Sequence, residues 1–280
     1  MKKLTLLLTI LTAMWCSSCN KPQTETFSPT EDLVTFRFSL YQTEPMKGDR
    51  GDITFENRID MWLDDGENTY DYHQEKTSAG AAWGAMYIAL NRTKTYTLYA
   101  VAHKSDAPAT LTDGVISFQN DNVVSSMFYT TTFTPAETTS VECVMQRIIG
   151  QFRLCVTDDV PDDFDHITLE FSETGTRFDV SGVATNKVER SETFTEFYSN
   201  PLPKYVGSYI MADDLTTTTY ITVTATAYDS EDEVIESKTL YNVPIKDSWR
   251  TIYTGEFFTT TGVDFAFSVG EWQNFDDHPY

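Results

Sequence analysis

Histidines are the first residues to test for catalytic or metal-binding chemistry, because imidazole both transfers protons and binds metal ions. The four in this chain are far apart and lack ligand spacing: His73, His103, His166 and His278. The sequence has no Gly-x-Ser-x-Gly nucleophile motif, no His-Glu-x-x-His zinc motif and no glycine-rich phosphate loop. We therefore expect surface or strand histidines, with no metal, no cofactor and no enzymatic activity.

The densest group of possible metal ligands is an acidic loop over residues 158–165. It contains Asp158, Asp159, Asp162, Asp163 and Asp165, and calcium takes several oxygen ligands from one loop. The spacing differs from the EF-hand pattern, which needs ligands at alternate positions and a glycine at the turn. A solvated loop is the favoured interpretation, and calcium binding stays open as the alternative.

The start of the chain predicts export. Two lysines precede an apolar run over residues 4–15, which is too short to span roughly 30 Å of hydrocarbon and is typical of a secretory signal. The following Cys16-Ser17-Ser18-Cys19 resembles a bacterial lipobox, although Cys16 stands where Leu or Val is usual. The resemblance implies a signal peptide over residues 1–18 and a lipid, including palmitate, on Cys19. A plain secretory signal is the alternative.

Two cysteines remain after removal of such a signal, Cys143 and Cys155, and the export route is oxidising. A hairpin turning at Ile149 would place them opposite each other, although only Gly150 suggests a turn there. A chain that runs straight on would place them about 40 Å apart, whereas a disulfide needs Cα atoms within about 7 Å. The sequence favours free thiols and leaves the disulfide open.

Composition excludes several classes of protein. The chain has 280 residues and a formal net charge of −22, which becomes −24 when the signal takes its two lysines away. Nucleic-acid affinity comes largely from Lys and Arg, and anionic membrane surfaces attract basic segments, so neither partner is expected. With 40% apolar and 14% aromatic residues, the chain can bury a core.

Alternation of apolar and polar residues indicates strands along most of the chain. The clearest runs are 33–41, 59–63, 96–102, 126–134, 141–145, 152–156, 167–171, 221–227, 251–258 and 263–269. The alanine-rich residues 78–90 fit either a short helix or a strand. Many short strands predict all-β sandwiches. We expect a flexible tether over residues 19–32 and two tandem antiparallel β-sandwich domains, 33–147 and 148–280.

Several short motifs resemble the fimbrillin-like lipoproteins of type V pili. They are Thr95–Ala102, Met145–Gly150, Asn242–Lys246 with Arg250-Thr251 and Gly255–Phe258, and Trp272 after a final alternating strand. The chain most resembles the branch of fimbrillin-A-associated anchor proteins and minor fimbrial subunits. It implies two transthyretin-like domains, lipid anchoring in the outer membrane and assembly of fimbriae by strand exchange.

Strand exchange assigns roles to particular residues. The amphipathic strand with Val34, Phe36, Phe38 and Leu40 would occupy or vacate the polymerisation groove, because an open edge can accept a strand from another chain. In polymer-forming relatives a protease cuts after an arginine in the next loop, and Arg50 is the matching residue, with Lys47 weaker. An ordinary loop arginine is the alternative, and an anchor would keep this strand.

The sequence therefore predicts a structural lipoprotein of a bacterial fimbria, an anchoring or accessory subunit that assembles with other fimbrial subunits. Whether it is an anchor, stalk or tip subunit stays open. Residues 263–269 could engage a neighbour or form an ordinary core strand. The alternative function is a surface lipoprotein that binds glycan or a host ligand through exposed aromatic residues, with four candidates: Trp62, Trp83, Trp249 and Trp272.

Overall fold

The computed structural model describes residues 32–43, 50–51, 53, 56–198, 204–259 and 265–271. Strands dominate these residues, and the predicted all-β class is confirmed. The predicted signal peptide, the tether up to residue 31, Cys19, Lys47 and Trp272 lie outside the described residues.

The first half contains strands β1 (Leu33–Thr43), β2 (Arg50–Gly51), β3 (Arg58–Asp64), β4 (Thr69–Glu75), β5 (Ala85–Asn91), β6 (Tyr96–His103), β7 (Thr110–Thr112), β8 (Val115–Ser117), β9 (Ser126–Phe133) and β10 (Ser140–Arg147). The second half contains β11 (Gly150–Val156), β12 (Phe164–Thr174), β13 (Arg177–Asp179), β14 (Val183–Thr185), β15 (Val188–Phe194), β16 (Lys204–Ile210), β17 (Thr219–Asp229), β18 (Val234–Ile245), β19 (Trp249–Gly255) and β20 (Phe265–Glu271).

Helical structure is short. The one α-helix of the described residues covers Lys76–Ala79, and 3₁₀ turns cover Gly80–Ala82 and Gln119–Asp121. The ambiguous residues 78–90 therefore divide between the two predicted structures. The helix ends early, and β5 buries the alternating Met86, Ile88 and Leu90, since the period of two points them to one face.

The strands of the first half enclose one apolar cluster. The sheet order is β2-β1-β10-β9-β6-β3-β4. β5 also pairs with β1, on the edge opposite β10. β1 runs parallel to β10 and antiparallel to β5. Side chains of β1, β3, β5 and β6 meet in the cluster, including Phe36, Met61, Ile88 and Leu98.

The second half repeats this connectivity. One sheet has the order β16-β11-β19-β20 and the other has β15-β12-β17-β18. Its first strand, β11, again runs parallel to a late strand, β19, and antiparallel to a middle strand, β16. Its own apolar cluster includes Phe152, Leu169, Val223 and Leu240. The division into two domains stays a prediction, and the repeated strand order agrees with it.

A third cluster and a small sheet join residues of both halves. The sheet has the order β14-β13-β8-β7, in which Phe178 of β13 lies opposite Ile116 of β8. Trp62, Phe128, Ile149 and Met211 belong to the cluster. All described residues fall within one compact unit, residues 32–280.

Threonines form hydrogen-bonded pairs across neighbouring strands. Their hydroxyl oxygens lie 3.2 Å apart for Thr97 and Thr132, and 3.1 Å apart for both Thr168–Thr193 and Thr224–Thr239. Such cross-strand pairs stabilise a sheet by roughly 0.2–1 kcal/mol each. The high threonine content therefore contributes to strand pairing on the outer faces.

The helices of the described residues are all too short and too polar to cross a membrane.

Candidate functional site

The strand predicted to exchange, β1, lies in the interior of its sheet. Phe36 and Phe38 are fully buried, Leu40 is 3% exposed and Val34 is half-buried. The ring centroids of Phe36 and Phe38 lie 4.6 Å and 5.7 Å from that of Phe133. Because β5 and β10 pair with its two edges, removal of β1 would leave an apolar groove between them.

The chain after β1 turns back on itself. Arg50 and Gly51 form β2, in which Thr43 pairs with Arg50 and Gln42 pairs with Gly51. Residues 44–49 and residue 52 lie outside the described residues, as does the side chain of Arg50. The backbone at the predicted cleavage site is thus paired in a strand, and cleavage there stays a prediction.

The last strand, β20, carries an apolar row that the rest of the described chain covers only in part. β20 pairs with β19 on one edge, with Phe267 opposite Tyr253 and Val269 opposite Thr251. Phe267 is 61% exposed and Val269 is 38% exposed. The ring of Phe267 stacks on Tyr253 at 5.5 Å. Phe265 packs against the apolar cluster of the second half, so whether residues 263–269 engage a neighbour or form an ordinary core strand stays a prediction.

The two strands share one residue pattern. β1 contains Phe36-Arg37-Phe38-Ser39-Leu40, and β20 contains Phe265-Ala266-Phe267-Ser268-Val269. In both, a Phe-x-Phe-Ser-aliphatic sequence places three apolar side chains on one face of the strand. The row is buried in β1 and largely exposed in β20. The repeated pattern is visible in the sequence, but the different exposure of the two strands is visible only in the structure.

Asp158 fixes the segment that leads to β20. Its carboxylate accepts hydrogen bonds from the backbone N–H groups of Phe257, Phe258 and Thr259 at 2.9, 2.7 and 2.8 Å. Burial alone would raise the pKa of Asp158, but these donors outweigh it and lower the pKa. Sequence reasoning missed this role, since the donors follow about 100 residues later.

The calcium alternative for the acidic loop gains no support from the geometry. Within the described residues, which include all of 158–165, no group of three His, Cys, Asp or Glu side chains could hold a metal ion. Asp158 is instead occupied by backbone donors, and Asp165 lies 3.0 Å from the Nδ1 atom of His166.

A buried polar cluster surrounds His103 at the end of β6. Its Nε2 atom lies 2.7 Å from an Asp60 oxygen, which also accepts the Ala109 N–H at 2.7 Å. Arg58 donates to the other Asp60 oxygen at 3.3 Å. His103 is fully buried and Asp60 is 4% exposed, so the cluster stabilises the fold. His73 and His166 lie on β4 and β12, and His278 lies outside the described residues.

Arg147, in the junction motif, is also tied down. Its guanidinium donates to the Ser125 hydroxyl at 2.9 Å and lies 3.5 Å from Glu56. Ser125 in turn donates to Glu56 at 2.9 Å. All three residues are buried, and the network links the chain before β3 to the end of β10.

The cysteines and tryptophans settle two further expectations. Cys143 and Cys155 are both buried and free, which agrees with the straight path of the chain.

Trp62 is 5% exposed, and Trp83 is half-buried with its indole N–H donating to the Ile53 carbonyl at 2.8 Å. Trp249 is half-buried beneath the Lys246 ammonium. The prediction of exposed tryptophans for sugar stacking is therefore wrong for Trp62, whose strand is buried on both faces.

Similarity to known structures establishes the fold. A candidate polysaccharide-binding protein of Bacteroides thetaiotaomicron has a TM-score of 0.55 at 12% identity, over 86% of this chain and 98% of that chain. A candidate adhesin of Bacteroides ovatus has a TM-score of 0.53 at 12% identity, over 86% and 95% of the two chains. A candidate cell adhesion protein of Bacteroides uniformis has a TM-score of 0.52 at 16% identity, over 86% and 99%.

The curated proteins contain no match to this sequence. Residues 110–279 match the model of a family of unknown function, DUF6562. This match covers more than half of the chain, and the chain therefore belongs to the DUF6562 family.

Proposed function

We propose that this chain is a structural, non-catalytic subunit of a bacterial fimbria, and that β20 is the strand through which it joins a neighbouring subunit. The observation that carries the proposal is the shared pattern of β1 and β20. Removal of β1 from this chain would leave a groove shaped for Phe-x-Phe-Ser-aliphatic, and we propose that a neighbouring subunit offers a similar groove to the same sequence on β20.

The energetics favour such a transfer. In its own chain β20 pairs along one edge, with β19, whereas a strand in the β1 position pairs along two edges. Phe267 would also pass from 61% exposed to buried, as Phe38 is. Full burial of a phenylalanine contributes roughly 1.5–3 kcal/mol, so this change alone contributes about 1–2 kcal/mol.

Long-range charge does not assist the assembly. Copies of the processed chain, whose net charge is −24 after the two signal lysines are removed from the full-chain value of −22, repel one another at a distance. Contact must therefore depend on backbone pairing and apolar insertion, which are the two interactions that β20 offers.

The membrane attachment follows from the N-terminal motif. We propose that a lipid on Cys19 holds the chain in the outer membrane and at the cell surface, and that two tandem transthyretin-like sandwiches follow the tether. Metabolic labelling with an alkynyl palmitate analogue should mark the wild-type protein. Cys19→Ala should abolish the label, and a labelled variant would refute lipidation at this residue.

The position along the fibre depends on Arg50. We favour an anchoring or accessory subunit that keeps β1, since the lipid and β1 lie on the same side of the cleavage site. N-terminal sequencing of the protein from native fimbriae should then find no chain that begins at Gly51. A mature start at Gly51 would overturn the anchoring role and indicate a stalk or tip subunit.

The experiment that tests strand donation compares two exposed aromatic residues. Phe267→Ser removes the centre of the apolar row, whereas Tyr241→Ser changes a side chain on β18 that is 72% exposed. Surface fractions from cells expressing each variant are run on SDS gels without boiling. Wild type and Tyr241→Ser should appear in SDS-resistant ladders, and Phe267→Ser should not. Equal ladders for both variants, or none with wild type, would refute the proposal.

A further inference from the structure

A cavity of about 700 Å³ lies between the two halves of the chain, away from β1 and β20. The first half contributes Lys104 and the loop 120–125, and the second half contributes β15 and β16 with nearby residues. Small-molecule sites typically measure about 300–1,000 Å³ and combine apolar walls with a few placed polar groups. The cavity therefore has the size of a ligand site.

One wall of the cavity holds a fixed ion pair. Arg190 donates to Glu192, and its other terminal nitrogen donates to the Tyr209 carbonyl at 3.0 Å. Ser208 donates to the same Glu192 oxygen, Oε1, at 2.6 Å. The side chains of Arg190 and Glu192 are 13% and 32% exposed. Both are thus held in place before any ligand arrives, which reduces the entropy lost on binding.

The second carboxylate oxygen of Glu192 has capacity left. Among the described residues, no hydrogen bond to its Oε2 atom is found, while Oε1 accepts two. Burial raises the pKa of Glu192, although the Arg190 guanidinium opposes the shift. A carboxylate oxygen that borders a cavity can accept a hydrogen bond from a ligand hydroxyl.

Amide side chains line the mouth. Asn120, Asn122 and Asn186 all border the cavity, and an amide can both donate and accept hydrogen bonds. The Asn186 Nδ2 atom already donates to Thr176 at 2.7 Å and to Asp121 at 3.5 Å, so Asn186 offers a ligand its amide oxygen as an acceptor. Asn120 and Asn186 have positive φ angles of 58° and 52°, a turn conformation that asparagine adopts more readily than most residues. Lys104 adds an ammonium that forms no ion pair within the described part of the chain.

Aromatic side chains complete the lining. Phe194, Tyr198 and Tyr209 border the cavity and are half-buried. Phe194 and Tyr209 also pack against the apolar clusters, and the three aromatic residues add apolar area to a lining that contains the polar groups described above. Sugars combine hydroxyl groups with apolar C–H faces, so they match both kinds of group.

We propose that this cavity binds a short neutral saccharide, with Glu192, Asn120, Asn122 and Asn186 as its hydrogen-bonding residues. The net charge of −22 disfavours sulfated or sialylated ligands, because the field of the protein repels anions. The polar wall disfavours lipids, because an apolar ligand would leave Glu192 and the amides without partners. The site goes beyond the fimbrial role and does not depend on strand exchange.

The test uses the mature chain and an array of neutral di- to tetrasaccharides of glucose, mannose, galactose and N-acetylhexosamines, with sialylated and sulfated counterparts. The strongest neutral hit is then titrated by calorimetry. Asn122→Trp places a bulky side chain at the mouth, and Gln119→Trp is the matched control, since Gln119 is exposed in the same loop but does not line the cavity.

Wild type and Gln119→Trp should bind neutral saccharides with affinities within about twofold, and Asn122→Trp should lose at least about tenfold. Glu192→Gln, which preserves the side-chain shape, should weaken binding by roughly three- to tenfold. This second variant tests the site independently if Asn122→Trp fails to fold. No binding to neutral saccharides, a preference for acidic ones, or unchanged affinity in Asn122→Trp would each overturn the proposal. SDS-resistant ladders should remain in all three variants. Failure of the saccharide proposal is therefore distinguishable from failure of the proposed strand donation.

Discussion

Phe38 and Phe267 occupy the same place in the shared pattern, yet truncation to alanine should lower the stability of the chain far more at Phe38 than at Phe267. Phe38 is fully buried and its ring lies 5.0 Å from Phe36 and 5.7 Å from Phe133. Phe38→Ala should therefore lower the free energy of unfolding by about 3–5 kcal/mol, as large cavities in cores do. Loss of SDS-resistant assembly would follow from the unstable fold itself.

Phe267 should behave differently. It is 61% exposed, so burial of the remainder contributes roughly 0.6–1.2 kcal/mol. Its stacking on Tyr253 adds about 0.5–1.5 kcal/mol. Phe267→Ala should cost about 1–2.7 kcal/mol in the isolated chain while removing the protein from SDS-resistant ladders.

Urea unfolding of the two purified variants, followed by circular dichroism, measures both values, and the gel assay measures assembly. A cost for Phe267→Ala as large as that for Phe38→Ala would show that β20 packs into its own core. Unchanged assembly by Phe267→Ala would separately refute the role of the exposed row.

Three further predictions concern stability and thiol chemistry. Asp158→Asn should lower the free energy of unfolding by about 1–2 kcal/mol at pH 7 in urea titrations. The wild-type contribution should be complete above the usual pKa of 3.8 and fall as pH drops through the lowered pKa of the folded state. Asp60→Ala should cost about 3–5 kcal/mol by the same measurement, because it leaves His103 and the Ala109 N–H without their acceptor and removes one of the two carboxylates that pair with Arg58. Mass spectrometry should find both Cys143 and Cys155 alkylated after denaturation. Native Cys143 should react slowly at pH 8, since burial raises its pKa to about 12; rapid native labelling or a disulfide would contradict this.

Sequence alone predicted the strands that follow a period of two. β1 and β17 alternate cleanly because one face of each packs on a core, as Phe36 and Val223 show. Alternation of apolar and polar residues was less informative for β3, because β3 is buried along nearly its whole length. The burial of Trp62 could therefore not be inferred from the sequence. The strands β7, β8, β13 and β14 have three residues each, too few to show a period.

The sites depended on contacts between distant residues. Asp158 and its backbone donors, or Lys104 and Tyr209 in the cavity, come together only after the strands pair. The exposed row of β20 was equally hidden, since its sequence is that of a core strand. The exposure of an apolar side chain depends on which sheet packs against its face of the strand. Alternation of apolar and polar residues in the sequence does not contain that information.

The central claim is that β20 inserts into a neighbouring subunit, and photo-crosslinking from Phe267 tests it most directly. Replacement of Phe267 with p-benzoylphenylalanine places a reactive ketone on the exposed row in living cells. After irradiation, mass spectrometry should identify crosslinked peptides from strands that flank the β1 position of another subunit. Crosslinks confined to β19 of the same chain, in cells that carry assembled fimbriae, would contradict the claim.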